Sequence, residues 1–98
     1  MNELTKALGE AKPTLVGLYK PSKESSDGVP AVVDQLRSQL GDKANVLAVD
    51  GSQNEDLIKE YKVASYPCWL LFKDGAVAWR DYGCKHAGEL EHIVREFI

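Results

Sequence analysis

Four short apolar runs bounded by turn residues predict the strands of a sheet. The runs over 14–19 and 45–50 have apolar centres, which is typical of buried strands. A third run covers 67–72, and the dipeptide Asp74-Gly75 predicts a hairpin turn into a fourth strand over 77–82. We expect the first two strands to be parallel with a right-handed crossover, and the hairpin to be antiparallel.

Apolar residues at helical spacing predict four helices around these strands. A short helix is expected over 2–9, and a second helix takes Ser26 or Asp27 as its N-cap and ends at Gly41. A capping-box pattern over 52–55 predicts the start of a third helix. The last helix is predicted from a stripe of four apolar residues, Leu90, Ile93, Val94 and Phe97.

The order of these elements predicts an α/β sandwich. A chain of 98 residues suggests one domain, over 1–98. Hydrophobic residues make up 44% of the chain and charged residues 28%, which is the composition of a folded globular protein rather than a disordered one. We therefore expect one core-forming unit whose sheet is covered by helices.

Charge and composition exclude several classes of partner. The net charge is −3 and no basic stripe is present, so we expect no nucleic-acid partner. No apolar run approaches the ~20 residues that span a bilayer, and no secretory signal precedes the first element, so we expect no membrane association and a cytoplasmic location. Two cysteines are too few for a disulfide scaffold, and no cofactor is expected.

Four segments at near-constant spacing together resemble the thioredoxin family over about 11–97. Residues 12–16 (Lys-Pro-Thr-Leu-Val) are similar to the strand that leads to the family's active site. Residues 61–67 are similar to the segment that ends at its cis-proline, 70–75 to its hairpin, and Gly83 to a glycine beside its active site. The resemblance implies a thioredoxin-like three-layer α/β/α sandwich with a polypeptide-binding groove at a cis Pro67.

The resemblance breaks at the loop that carries the family's Cys-x-x-Cys motif. Aligning on Pro30 puts Ser22 and Ser25 at the two cysteine positions, whereas aligning on Val16 puts Lys23 and Ser26 there. A serine hydroxyl does not replace a thiolate in disulfide exchange at neutral pH. We therefore expect the family's dithiol chemistry to be absent from the former redox loop, which consists of Ser22, Lys23, Glu24, Ser25 and Ser26.

Two further departures accompany the missing thiols. The family buries an aspartate under its active site and pairs it with a lysine; here the aspartate position matches Gly17 and the lysine position matches Val46 or Ala48. Such a carboxylate manages protons during thiol exchange, so its loss together with both thiols favours the loss of one whole mechanism. The family's usual first strand is also expected to be missing, leaving a four-stranded mixed sheet whose strand 45–50 is an edge.

Two cysteines remain as candidate reactive groups. Cys68 follows Pro67 and is either near the family's reactive centre or a small buried hydrophobe. Cys84 follows Gly83 at the mouth of the same groove, where the helix start, Lys85 and His86 would favour its thiolate; the alternative is an exposed thiol without a role.

Neither a disulfide nor a metal site is favoured by the spacing of these residues. Continuing the hairpin register puts Cys68 nearly opposite Asp81, with Cys84 a few residues beyond, so a bond between the two thiols is not favoured. Cys68, Cys84 and His86 match no strong metal motif, and no metal is expected.

Three functions follow from these observations. The first is a thioredoxin-like protein without the dithiol, which uses the groove at Tyr66, Pro67, Gly83 and Cys84 as a polypeptide-binding or redox-regulated module. The second is an atypical thiol-disulfide oxidoreductase in cell redox homeostasis, acting through Cys84 with or without Cys68. The third is a homodimer or larger complex that pairs through edge strand 45–50.

Overall fold

The computed structural model describes residues 11–21 and 28–98, and its centre is a four-stranded mixed sheet. The strands lie in the order β2-β1-β3-β4, with β1 parallel to β2 and antiparallel to β3, and β3 antiparallel to β4. These pairings confirm the predicted parallel pair and hairpin. The strand bounds are β1 Thr14–Tyr19, β2 Asn45–Asp50, β3 Cys68–Lys73 and β4 Ala76–Tyr82.

Three α-helices connect and follow the strands: α1 over Val29–Leu40, α2 over Glu55–Glu60 and α3 over Ala87–Arg95. Helix α1 has Gly28 in the N-cap position, so the predicted caps Ser26 and Asp27 precede it and lie outside the described residues, as does the helix predicted over 2–9.

The capping box predicted over 52–55 is wrong. Asn54 is the N-cap residue of α2, and Ser52 belongs to a preceding 3₁₀ turn over Gly51–Gln53. That turn is capped by the Asp50 carboxylate, which accepts hydrogen bonds from the backbone N–H and the hydroxyl of Ser52 at 2.9 and 2.6 Å. Because the N–H and hydroxyl of Ser52 already donate to Asp50, they do not form the predicted capping box, and the helix starts later.

The helices cover the sheet on both faces, which confirms the sandwich. Helices α1 and α3 pack on one face, around a core that includes Leu15, Trp69 and Leu71. Helix α2 packs on the other face, where Leu57 and Ile58 lie against a smaller cluster of five buried side chains, Val16, Leu18, Cys68, Leu70 and Phe72. The period-two alternation of β1 and β3 divides each strand between the two cores.

Strand β2 is an edge of the described sheet, and side chains from elsewhere in the chain bind its outer side. The backbone N–H of Asn45 points towards β1 and donates to the Pro13 carbonyl at 2.9 Å. Backbone polar groups alternate in direction along a strand, so the N–H and carbonyl of the next residue, Val46, point to the outer side of β2. Arg37 of α1 donates its Nε–H to the Val46 carbonyl at 2.8 Å, and Asn54 donates to the Asp50 carbonyl, also at 2.8 Å. The apolar run over 46–49 carries no charge that would block pairing, but Arg37 of the neighbouring helix supplies one.

Among the described residues, none of the helices combines the length and the hydropathy needed to cross a bilayer.

Candidate functional site

A groove surrounds Pro67 where β3 begins and β4 ends. The Tyr66-Pro67 peptide bond is cis, and the Pro67 carbonyl accepts the N–H of Gly83 at 3.0 Å, which joins the two strand ends. On the α1 side of this junction lies a cavity of about 230 Å³. We call this cavity and its rim the Pro67 groove; it is lined by Gly28, Val29, Val32, Pro67, Trp69, Cys84, Lys85 and His86.

The floor of the Pro67 groove is an indole ring. Trp69 is 1% exposed and donates its Nε1–H to the Gly83 carbonyl at 3.1 Å. A Cβ placed on Gly17 would lie 2.6 Å from Cζ3 of this ring and 2.8 Å from Cγ1 of Val29. Since carbon atoms in contact stand about 3.5–4.0 Å apart, residue 17 has no room for a side chain. The space above it is filled by an apolar ring.

Cys84 lies on the rim of this groove and is exposed. Beside it, Lys85 bridges back to β4: its Nζ lies 3.0 Å from Oδ2 of Asp81 and donates to the Tyr82 carbonyl at 3.2 Å. The Lys85 side chain is only 14% exposed. Hydrogen bonds from Lys85 and from the Tyr82 N–H hold the pKa of Asp81 below its ordinary value. The Lys85 ammonium group therefore forms an ion pair with Asp81.

Cys68 lies on the opposite face of the sheet from the groove. Its side chain is fully buried in the α2-side cluster, and burial raises the pKa of its thiol, partly opposed by the nearby Arg80 guanidinium. The register predicted from sequence was off by one residue: Cys68 stands opposite Tyr82, because a bulge between Leu71 and Phe72 shifts the hairpin.

Cys68 and Cys84 are not joined in a disulfide. Because Cys68 points into the core under α2 while Cys84 opens on the groove beside Trp69, the sheet lies between them. The described residues also include no group of three or more His, Cys, Asp or Glu side chains placed to hold a metal ion.

Tyr66 lines a second depression, beside α2, and is not among the residues that line the Pro67 groove. Its ring is half-buried rather than fully exposed, and its hydroxyl stands 2.6 Å from where a Cβ on Gly51 would lie. Burial raises the pKa of this phenol, with smaller contributions from Cys68 and Asp50. The depression, of about 380 Å³, also contains Lys20 and Lys59.

Comparison with known proteins shows what this arrangement belongs to. The family model described as thioredoxin matches residues 3–96. The chain belongs to the thioredoxin family. It is 32% identical to a thioredoxin of Mycolicibacterium smegmatis, over 83% of this chain and 74% of that protein, and 29% identical to the thioredoxin of Bacillus subtilis, over 71% and 67%. A solved thioredoxin variant from Halobacterium salinarum shares the fold, with a TM-score of 0.87 at 23% identity over 99% of this chain and 84% of that one.

Within the thioredoxin family, the position that the resemblance assigns to a buried aspartate is Gly17, and the structure shows what replaces it. The indole of Trp69 covers Gly17, and no carboxylate can be added there without moving the ring. The patterns in the sequence did not single out Trp69 as a residue of the site. The available signal was the pairing of a glycine in the middle of a buried strand with a tryptophan directly across the sheet, since β1 and β3 place Gly17 opposite Trp69.

Of the predicted groove residues, Pro67 and Cys84 line one cavity. Gly83 donates a backbone hydrogen bond to Pro67, and Tyr66 lines the second depression instead. The former redox loop lies outside the described residues, in full from Ser22 to Ser26. The sequence itself places the chain's two cysteines at 68 and 84, so this thioredoxin-family member has no Cys-x-x-Cys.

Proposed function

We propose that this thioredoxin-family chain binds an extended polypeptide in the Pro67 groove and does not exchange disulfides through a dithiol. The observation that supports this most directly is the Trp69 indole over Gly17. A groove floor made of an apolar ring favours apolar side chains through burial. None of the described residues that line the groove is an acid that could manage protons for a thiol, and the sequence has no cysteine at positions 22–26.

The Pro67 groove has the size and lining for an apolar anchor. Val29, Val32 and Trp69 supply its walls and floor, and a cavity of about 230 Å³ exceeds the volume of one aliphatic side chain. Burying such a side chain contributes about 1.5–3 kcal/mol. The main chain of Tyr66, which directly precedes the groove residue Pro67, would offer polar groups to an extended partner.

Binding is tested with carboxymethylated α-lactalbumin, an unfolded polypeptide whose own thiols are blocked. Isothermal titration calorimetry measures the binding. We expect saturable binding that is unchanged by reductant. The variant Val32→Glu, which puts a charge on the cavity wall, should weaken binding about tenfold or more, since it forfeits at least ~1.4 kcal/mol of apolar burial. Gln35→Glu, exposed on the same helix, is the matched control. Equal binding by both variants would place the partner elsewhere.

A second candidate function is thiol exchange by Cys84, because that thiol is exposed on the groove rim. In this reaction the Cys84 thiolate attacks one sulfur of a substrate disulfide, and the other sulfur leaves as a thiolate. The mixed disulfide then needs a second thiol for its release. Since Cys68 is buried on the other face, that thiol must come from an external small-molecule thiol.

Dithiothreitol-driven reduction of insulin separates the two functions. The binding function predicts no rate above the buffer for the wild type. A rate above buffer that is lost in Cys84→Ser would assign turnover to Cys84 and replace the first proposal with the second. The dithiothreitol supplies the external thiol, so a negative result does not come from a missing co-reactant.

A further inference from the structure

Arg80 makes several contacts outside the Pro67 groove. It lies on β4 opposite Leu70, so its side chain is on the α2 face of the sheet. One guanidinium nitrogen donates to the Tyr61 carbonyl at 2.7 Å, and the other donates to the Tyr82 hydroxyl at 2.9 Å. The guanidinium carbon also lies 5.6 Å from the centre of the Tyr82 ring.

These contacts tie an irregular stretch of chain to the sheet. Residues 61–66, which we call the 61–66 segment, connect the end of α2 to Pro67 and include Lys62 at a φ of 52°. Arg80 binds the start of the segment at Tyr61. The Tyr82 hydroxyl, which Arg80 orients, accepts the N–H of Ala64 at 3.3 Å in its middle. Two β4 side chains therefore hold the segment over the sheet, in addition to the packing of Tyr61, Val63 and Tyr66 against the core.

We propose that Arg80 is the positioning residue of the Pro67 groove: by holding the 61–66 segment against β4, it fixes the Tyr66-Pro67 peptide, and with it the Pro67 side of the groove, where an extended polypeptide can pair. This inference rests on the proposed function. Arg80 does not itself line the groove, and it acts through Tyr61, Tyr82 and the backbone of the segment.

The role requires an arginine rather than any cation. The guanidinium is a planar fork whose separate N–H groups reach a carbonyl and a hydroxyl at once while the plane lies against a ring. A lysine ammonium keeps the charge but is a single point with a flexible stem. Arg80→Lys is therefore expected to keep part of the positioning, and Arg80→Met to lose it while retaining an unbranched side chain.

Cys68 provides a readout that does not depend on any ligand. Its thiol is fully buried beneath this face of the sheet, close to Arg80. Alkylation by N-ethylmaleimide therefore requires a local opening of the structure that exposes the thiol. In a Cys84→Ser background, only Cys68 reacts. We expect Arg80→Met to raise its alkylation rate about tenfold, Arg80→Lys to raise it less, and Arg95→Met, an exposed arginine on α3, to leave it unchanged.

Amide hydrogen exchange distinguishes positioning from a general loss of stability. In Arg80→Met, exchange should accelerate for the amides of the 61–66 segment, while the β1 amides in the sheet centre keep their protection. Equal acceleration in both places would mean that Arg80 only stabilises the whole domain, and would overturn the inference.

Polypeptide binding completes the test with the wild type as the parent, because Cys84 lines the groove and is kept. With carboxymethylated α-lactalbumin, Arg80→Met should weaken binding about tenfold, Arg80→Lys should restore part of it, and Arg95→Met should bind as the parent does. A parent that binds while Arg80→Met binds equally well overturns this inference alone. A parent that binds nothing overturns the proposed function itself.

Discussion

The Trp69 indole occupies the space directly over Gly17, with ring carbon Cζ3 2.6 Å from the point where a Cβ of residue 17 would stand. The two residues are partners across β1 and β3, and the ring is held by its bond to the Gly83 carbonyl. In the family, the resemblance puts a buried acid at this position. Here a carboxylate and the indole exclude each other, so the missing acid and the apolar floor are one structural feature.

This contact predicts that residue 17 tolerates no side chain. Gly17→Ala is expected to lower the free energy of unfolding by about 1–3 kcal/mol, the usual cost of forcing extra volume into a packed core. Gly17→Asp should cost more, because it also buries a carboxylate. Urea unfolding followed by circular dichroism measures both. Gly88→Ala in α3 is the control, since a Cβ there meets nothing within 4 Å.

Shrinking the ring tests whether Trp69 causes that cost. The double variant Gly17→Ala, Trp69→Leu should be more stable than the sum of the two single effects predicts, with a coupling of about 0.5–3 kcal/mol for residues in contact. Additive effects would show that the strain at residue 17 comes from Val29 or from the backbone instead.

Much of the fold follows from local patterns in the sequence. The runs over 14–19 and 45–50 became strands with those bounds, and the Asp74-Gly75 turn gave the hairpin. In each case the residues that form the element also decide its burial. The errors came from features that the local pattern does not contain. The Asp50 side chain capped a turn before α2, and a backbone bulge after Leu71 moved the hairpin register by one residue.

The site was less predictable than the fold, because its contacts join residues that are distant in sequence. Trp69 acts through Gly17 and Gly83, and Arg80 through Tyr61. A one-dimensional pattern can place each residue on a strand, but whether a ring fills the space over a glycine depends on the register between two strands. The resemblance supplied the location of the groove and could not supply its floor.

The bond from Arg37 to the Val46 carbonyl predicts how the edge strand β2 behaves. Arg37→Met leaves that outward carbonyl without its charged donor and exposes the edge to pairing with a second chain. We expect the variant to self-associate with rising concentration in sedimentation equilibrium while the wild type remains a monomer. Arg95→Met, which removes an arginine that pairs only within α3, is the control. A wild type that already dimerises would support pairing through β2 despite Arg37.

The Asp81–Lys85 pair predicts an acid-dependent part of the stability. Because Lys85 lowers the pKa of Asp81 in the folded state, its contribution is present in full above the ordinary value of 3.8 and is lost as pH falls through the lower folded value. Asp81→Asn should therefore be less stable than the wild type at neutral pH, and the difference should shrink below pH 3.8 and vanish once the pH has fallen past the lower folded value. Urea unfolding from pH 7 downwards measures it, with Asp34→Asn, an exposed position on α1, as the control. A difference that stays constant with pH would show that the pair contributes through packing alone.

Burial of Cys68 predicts an alkaline limit to stability. Below pH 9.0 the thiol is protonated in both the folded and the unfolded chain. Because burial raises its folded pKa above 9.0, the unfolded chain ionises first, and stability falls as pH rises from 9.0 towards the folded value. Cys68→Ala loses this part of the slope, so its free energy of unfolding should decline less between pH 8 and 10. Urea unfolding under reducing conditions measures both proteins, and Cys84 is kept in both so that its contribution cancels. Parallel slopes would mean that the half-buried tyrosines Tyr61 and Tyr66 account for the alkaline loss, because burial raises their pKa values as well.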